Sequence, residues 1–239
     1  MKKLGIDFGT KRLGLAISIE SVDMPLRTIT IDNYKEKIFE IVKEKSIDFI
    51  VVGLPLSMSG RYNEISMQAI SFAIKLFKKM SVPVWLFDER LSTESSRFTA
   101  TTRKSFDDNK DSLSALNILR RFNPVSTNAH KIVEHFPGWI PEWDNLPEEK
   151  LLVYNPANPE IVFTIHEVVE GLIILTNEPQ IFFLLKKKGY SPVNLIEDVK
   201  PNHYSSIILR KENFASCSDE LINEKKIYTY RICARSSMD

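Results

Sequence analysis

The sequence predicts an α/β fold. Residues 1–123 are expected to form a mixed five-stranded sheet with flanking helices, and residues 151–239 a smaller β-rich or α+β domain. Three observations carry this reading. The chain opens on two apolar stretches of period two, the pattern of strands with one buried face. Two continuous apolar runs, 48–54 and 82–87, then alternate with stretches of helical periodicity, as parallel strands buried on both faces do. From Asn123 the texture changes. Six of the twelve prolines fall between Pro124 and Pro159, which marks a boundary segment rather than a packed βα unit.

In the first strand Leu4, Ile6 and Phe8 point one way, while Gly5, Asp7 and Gly9 point the other. Leu13, Leu15 and Ile17 continue the apolar face on a second strand, opposite Gly14, Ala16 and Ser18. A third strand is expected over 26–31, so the opening favours an antiparallel meander. Asp32 or Asn33 can cap a helix over 34–46 that buries Ile38, Ile41 and Val42. The strand over 48–54 ends in a loop of turn formers around Pro55 and Gly60. A second helix, 64–80, carries Ile65, Ala69, Phe72, Ala73, Leu76 and Phe77 at helical spacing. The strand over 82–87 ends at Asp88-Glu89-Arg90, a polar stretch follows, and a third helix runs from about residue 108 to 122. Strands that alternate with helices should lie parallel through right-handed crossovers.

Residues 124–150 read as a Pro-rich linker. Beyond it, 151–154, 161–165, 171–176, 181–185, 207–209 and 226–232 are strand-like, with polar turns between them. This half carries no repeat, heptad or chemical motif. His166 beside Glu167 and Glu170 is read as structural, because a lone histidine in such a run is far more often packed than ligating.

Composition narrows the function. With 239 residues, 43% of them hydrophobic, the chain can bury one substantial core or two modest ones. No run of 18 apolar residues exists, so no membrane span is expected. Met1-Lys2-Lys3 leads straight into a strand and leaves no room for a signal peptide, so a cytoplasmic location is expected. Cys217 and Cys233 lack CxxC spacing and are expected to be reduced. Residues 1–122 hold 20 Lys and Arg against 15 Asp and Glu, a balance of +5, whereas the remainder is −4. That asymmetry mildly suits a polyanionic partner. All four histidines lie beyond residue 129, so neither a Ser-His-Asp triad nor a His-ligated zinc site can be built in the first half. Chemistry there falls to carboxylates, lysines and hydroxyls.

Asp7 stands between Gly5 and Gly9 on a strand, where glycine weakens the sheet unless something must approach the backbone closely. A phosphate or a metal-bound phosphodiester is the expected visitor, with Lys11 and Arg12 at the hairpin tip to meet its charge. Asp88 and Glu89 end a buried strand, the usual address of functional residues in an open α/β sheet. Asp111 leads a helix whose face continues through the small residues Ser114 and Ala115. Carboxylates converging from strand, strand end and helix form a site for hard divalent cations. Such ions activate water and stabilise the leaving oxygen of a phosphodiester.

Four segments resemble the YqgF (RuvX) family of ribonuclease H-like proteins, described as Holliday-junction resolvases and as pre-16S rRNA nucleases. Residues 5–16, GIDFGTKRLGLA, are similar to its opening motif, and Val51-Val52-Gly53-Leu54-Pro55-Leu56 with Ser59-Gly60 to its central strand and loop. Asp88-Glu89-Arg90-Leu91-Ser92-Thr93 resembles its third motif, and Asp111-Ser112-Leu113-Ser114-Ala115 with Ile118-Leu119 its final helix. The resemblance covers residues 4–122. It implies Asp7, Glu89 and Asp111 as catalytic, metal-binding acids, with Asp88 the alternative to Glu89, and Mg²⁺ or Mn²⁺ as the cofactor. It also implies Thr10, Lys11, Arg12 and Arg90 as phosphate contacts. An rRNA precursor or branched DNA is the implied substrate, the ribosomal particle a further partner, and a monomer or homodimer the assembly.

Two departures stand out. Asp111 follows Glu89 by only 22 positions, fewer than the family pattern implies, and Ser114 stands where the family usually has Ala. Two other readings compete. A non-catalytic ribosome-biogenesis or nucleic-acid-binding factor on the same fold would keep the motifs without turnover, yet three gathered acids repel one another and gain nothing structurally without a cation. An actin- or Hsp70-type ATPase shares the first phosphate loop but needs a second Asp-x-Gly, which is absent after residue 9.

Overall fold

The computed structural model describes residues 1–20, 22–88, 110–147 and 150–234. The chain forms two compact units, Met1–Ile132 and Val133–Asp239. The first unit is built on a six-stranded sheet of order β3-β2-β1-β4-β5-β6. Strands β1 (Lys3–Phe8), β2 (Arg12–Ile19) and β3 (Val22–Thr30) form the antiparallel meander. Strands β4 (Phe49–Leu54) and β5 (Val84–Asp88) extend it in parallel with β1. The sixth strand, β6 (Ala129–Lys131), runs antiparallel to β5 and comes from the segment read as a linker. Three residues are too few to carry a readable period, which is why the sheet was expected to have five strands.

Local chemistry explains the helices. Helix α1 (Tyr34–Lys45) buries Ile38 and Ile41 and stops at Ser46, whose φ of 52° puts it in the left-handed region. Asn33 precedes it without a side-chain cap bond. Helix α2 (Glu64–Lys79) starts on a reciprocal capping box, in which Asn63 accepts from the Ser66 amide and Ser66 accepts from the Asn63 amide. The fully buried Ser66 hydroxyl also donates to the Pro55 carbonyl, which ties the helix to the loop after β4. Helix α3 (Lys110–Arg121) lays Ala115, Leu116, Ile118 and Leu119 on the sheet, against Ala16, Phe49, Val51 and Phe87.

The close seating of α3 explains two of the glycines, and at Gly5 it takes the place of the expected phosphate. A β-carbon at Gly5 would lie 2.5 Å from Leu119 Cγ and 2.8 Å from the Ala115 carbonyl oxygen, and one at Gly14 would fall on the Asp111 backbone. The backbone that approaches these two glycines is the helix itself, not a phosphate. Gly9 answers to its own turn, where a β-carbon would crowd the Arg12 carbonyl at 2.6 Å.

The second unit carries a five-stranded sheet of order β7-β11-β10-β8-β9. Its elements are β7 (Gly138–Pro141), β8 (Leu151–Tyr154), α4 (Pro159–His166), β9 (Ile173–Leu175), α5 (Pro179–Lys187), β10 (Ser206–Arg210), α6 (Asp219–Ile222) and β11 (Lys226–Cys233). All strands but β7 are parallel to their neighbours. Residues 161–165 and 181–185, expected as strands, are helical. Each run follows a proline at the first helical turn, and Asn158 caps α4 by accepting from the Glu160 amide at 2.8 Å. A short apolar run cannot be told from a buried helix by period alone, so the cap and the proline were the deciding signals. Alternation in β8 splits the core. Leu151 and Val153 join the α4 and α5 residues on one face, while Leu152 packs with Ile207, Leu209 and Leu221 on the other. Cys217 and Cys233 are free thiols.

Candidate metal and phosphate site

Because β1, β4 and β5 are parallel, their carboxyl ends share one edge of the sheet. Asp7 is the penultimate residue of β1 and faces Gly14 of β2 across the ladder. Gly14 in turn lies against the Asp111 backbone at the start of α3. The strand register and the missing β-carbon thus bring two acids, 104 residues apart in sequence, into one pocket. Its lining is Asp7, Gly9, Thr10, Lys11, Arg12, Thr30 and Asp111, around a volume of about 560 Å³.

Asp7 is electrostatically strained. Burial is the largest cause and the nearby Asp111 charge the second, and together they push its pKa up to about 6 from an ordinary 3.8. The Ser114 hydroxyl donates to the Asp7 carboxylate and works against this rise. Arg12, one strand over, reaches Asp111 with Nε 3.4 Å from Oδ2. Arg12 is half exposed, so this pair is held loosely in water.

The expected residues therefore divide. Asp7, Asp111, Thr10, Lys11 and Arg12 come together. Asp88 ends β5 as a buried carboxylate whose amide donates to the Asn128 carbonyl at 3.1 Å, and it does not line the pocket. Glu89, Arg90 and the stretch before α3 lie outside the described residues. Among the described residues, no three His, Cys, Asp or Glu side chains gather closely enough to hold a metal ion. Two contributors escaped the sequence reading. Thr30 is the register partner of Arg12 on β3, a relation visible only once strands are paired. Ser114, one helical turn after Asp111, was marked as a small packing residue although the i, i+3 spacing already placed its hydroxyl beside that acid.

The strand order, the mixture of parallel and antiparallel pairs, and an acid on the first strand beside an acid on the helix laid across it make the first unit a mixed-sheet α/β fold with two carboxylates paired at one edge. The RuvX family model, described as Holliday junction resolvase, matches residues 1–122, and the chain belongs to that family. A protein of Rickettsia akari named "Putative pre-16S rRNA nuclease" is 35% identical over 125 residues, covering 48% of this chain and 81% of its own. One of the same name from Rickettsia typhi is 34% identical over 136 residues, covering 50% and 87%. Among solved structures, T. thermophilus RuvC in complex with Holliday junction substrate aligns with a TM-score of 0.34 and 17% identity, over 49% of this chain and 89% of that one. Residues 123–239 lie outside the family match.

Proposed function

We propose that this chain is a divalent-metal-dependent nuclease that trims structured RNA, with the 5′ end of a 16S rRNA precursor as the substrate class. The observation that carries the proposal is the pairing of Asp7 with Asp111 in a pocket rimmed by Thr10, Lys11 and Arg12. Two carboxylates forced together, one with a strongly raised pKa, are an unfavourable arrangement that a hard cation relieves. Their oxygen-only donor set fits Mg²⁺ or Mn²⁺, with Glu89 as the third acid. When bound, such ions supply a nucleophile from water at neutral pH and neutralise the charge that develops on the leaving oxygen.

The chain's own groups do the rest. Ser114 holds the Asp7 carboxylate in one orientation through its hydrogen bond. Arg12 leaves Asp111 to take up a phosphate oxygen, a transfer made easy by the exposure of that ion pair. Lys11, exposed at the hairpin tip, contributes long-range attraction for the backbone. RNA is favoured as substrate by the names of relatives that align over four fifths or more of their length. The family description favours a second reading, cleavage of four-way DNA junctions. Side-by-side assays of the purified protein on a 16S rRNA precursor and on a four-way junction, with and without Mn²⁺, test both. Metal-dependent trimming of the RNA that Asp7→Asn abolishes is the expected result; metal-independent cleavage, or full activity in that variant, overturns the proposal.

A further inference from the structure

Helix α1 presents a surface that neither the core nor the nuclease reading uses. Ile38 and Ile41 point inward, whereas Lys35, Glu36, Phe39, Glu40, Lys43 and Glu44 face outward. Phe39 is 49% exposed. With Lys79 at the end of α2, these side chains line a groove of about 820 Å³. A half-exposed phenylalanine set in a groove between charges is costly in water and gains most when covered.

The order of the charges points to what covers it. Around a point between Phe39 and Glu40 the sequence is antisymmetric in sign: Lys35 mirrors Glu44, and Glu36 mirrors Lys43. A second α1 running antiparallel across a two-fold axis would therefore place every one of these groups against an opposite charge, since in an isologous contact residue i meets j and j meets i. Glu36 and Glu44 lie two turns apart on this face, and the mirrored copy sets Lys43 and Lys35 against them. Three lysines and three glutamates line the groove, so it lacks the cationic excess that a nucleic-acid backbone requires.

We propose that α1 is the seam of a two-fold dimer of this chain, with both copies of Phe39 packed at the axis and Lys35–Glu44 and Glu36–Lys43 pairs across it. The inference is independent of the nuclease reading. A helix of 12 residues is about 18 Å long, so one helix pair makes a modest interface whose association depends on concentration and salt. Sedimentation equilibrium of the full chain at low salt tests this. A monomer–dimer equilibrium is expected, and each of the double variants K35E/K43E and E36K/E44K raises the dissociation constant roughly tenfold or more, because like charges then face each other. Mixing the two variants restores a dimer at wild-type strength, which a folding defect could not do. A wild-type chain that stays monomeric overturns the proposal, as does a K35E/K43E chain that dimerises normally or a mixture that fails to associate.

Discussion

Gly14 and Asp111 are in backbone contact so close that no side chain fits between them. Gly14 also pairs with Asp7 across the β1–β2 ladder, so one missing β-carbon sets the separation of both acids. Gly14→Ala must push α3 off the sheet. The expected cost is about 1–3 kcal/mol of stability, as for other overpacked sites. The larger effect is functional: with the acids drawn apart, addition of Mg²⁺ or Mn²⁺ no longer raises the melting temperature. Thermal unfolding with and without metal checks this. A variant as stable as wild type, with an undiminished metal response, would show that the contact does not position Asp111.

Asp7→Asn should stabilise the metal-free protein while abolishing cleavage. The folded-state pKa of about 6 lies above the ordinary 3.8, so the stability contributed by this carboxyl is full below about 3.8 and is lost as pH rises through about 6. At pH 7 the folded wild-type protein carries the whole penalty of a buried, repelled carboxylate, an upper bound of about 3 kcal/mol for a shift of this size. Asparagine has no such charge and can still accept from Ser114. The variant should thus melt higher than wild type in chelator at pH 7, with the gap closing as pH falls toward 4. Equal melting temperatures at neutral pH would mean that Asp7 is not strained by burial and by Asp111.

Arg12→Ala separates the two jobs assigned to this residue. In the structure it neutralises Asp111 through an exposed pair worth at most about 1 kcal/mol. Removing it frees that carboxylate, so divalent-metal affinity measured by calorimetry should rise severalfold. Nucleic-acid binding should weaken instead, and the slope of log affinity against log salt should fall by about one, as when one phosphate contact is lost. The opposite signs matter. If Arg12 served only to hold Asp111 in place, both affinities would fall together.

The first unit was legible because its signals are strong and local. Period two over β1 and β2, the fully buried run of β4 and the helical spacing in α2 each point to one element, and their order fixes the sheet. The acids were legible as candidates from motif and strand-end position. Their convergence was expected too, but not the contacts that set it, because these depend on the Asp7–Gly14 register and on α3 lying at backbone contact, both tertiary facts. Gly5 was marked as a site of close approach and is one, but to α3 rather than to a phosphate, whereas Gly9 serves its own turn and the approach at Gly14 went unread. In the second unit Ile161 and Ile181 sit in apolar runs too short to show a period, and the prolines before them outweigh β-propensity by fixing φ where a helix begins. β6 left no trace in sequence because its pairing with Trp85 and Phe87 is set by β5, not by its own three residues.

Tyr230 offers a test of the second unit that owes nothing to the nuclease site. Its ring is fully buried beneath Trp139, yet its hydroxyl serves the backbone of the turn after β8, accepting from the Ala157 amide at 2.9 Å and reaching the Asn155 carbonyl at 3.5 Å. That turn needs the help, since Asn155 is held at a φ of 43°. Burial pushes the phenol up to about 12, so it stays protonated at any working pH. Tyr230→Phe keeps the packing and leaves the Ala157 amide without its acceptor. The expected loss is about 1–3 kcal/mol, the desolvation penalty of a stranded donor rather than the smaller net worth of one hydrogen bond. Chemical denaturation followed by tryptophan fluorescence reads it directly, because Trp139 and Trp143 pack in the same cluster. Cleavage by the first unit should be unaffected. A loss below about 0.5 kcal/mol would mean that water replaces the phenol at the turn, and that the position of Asn158 at the head of α4 does not depend on it.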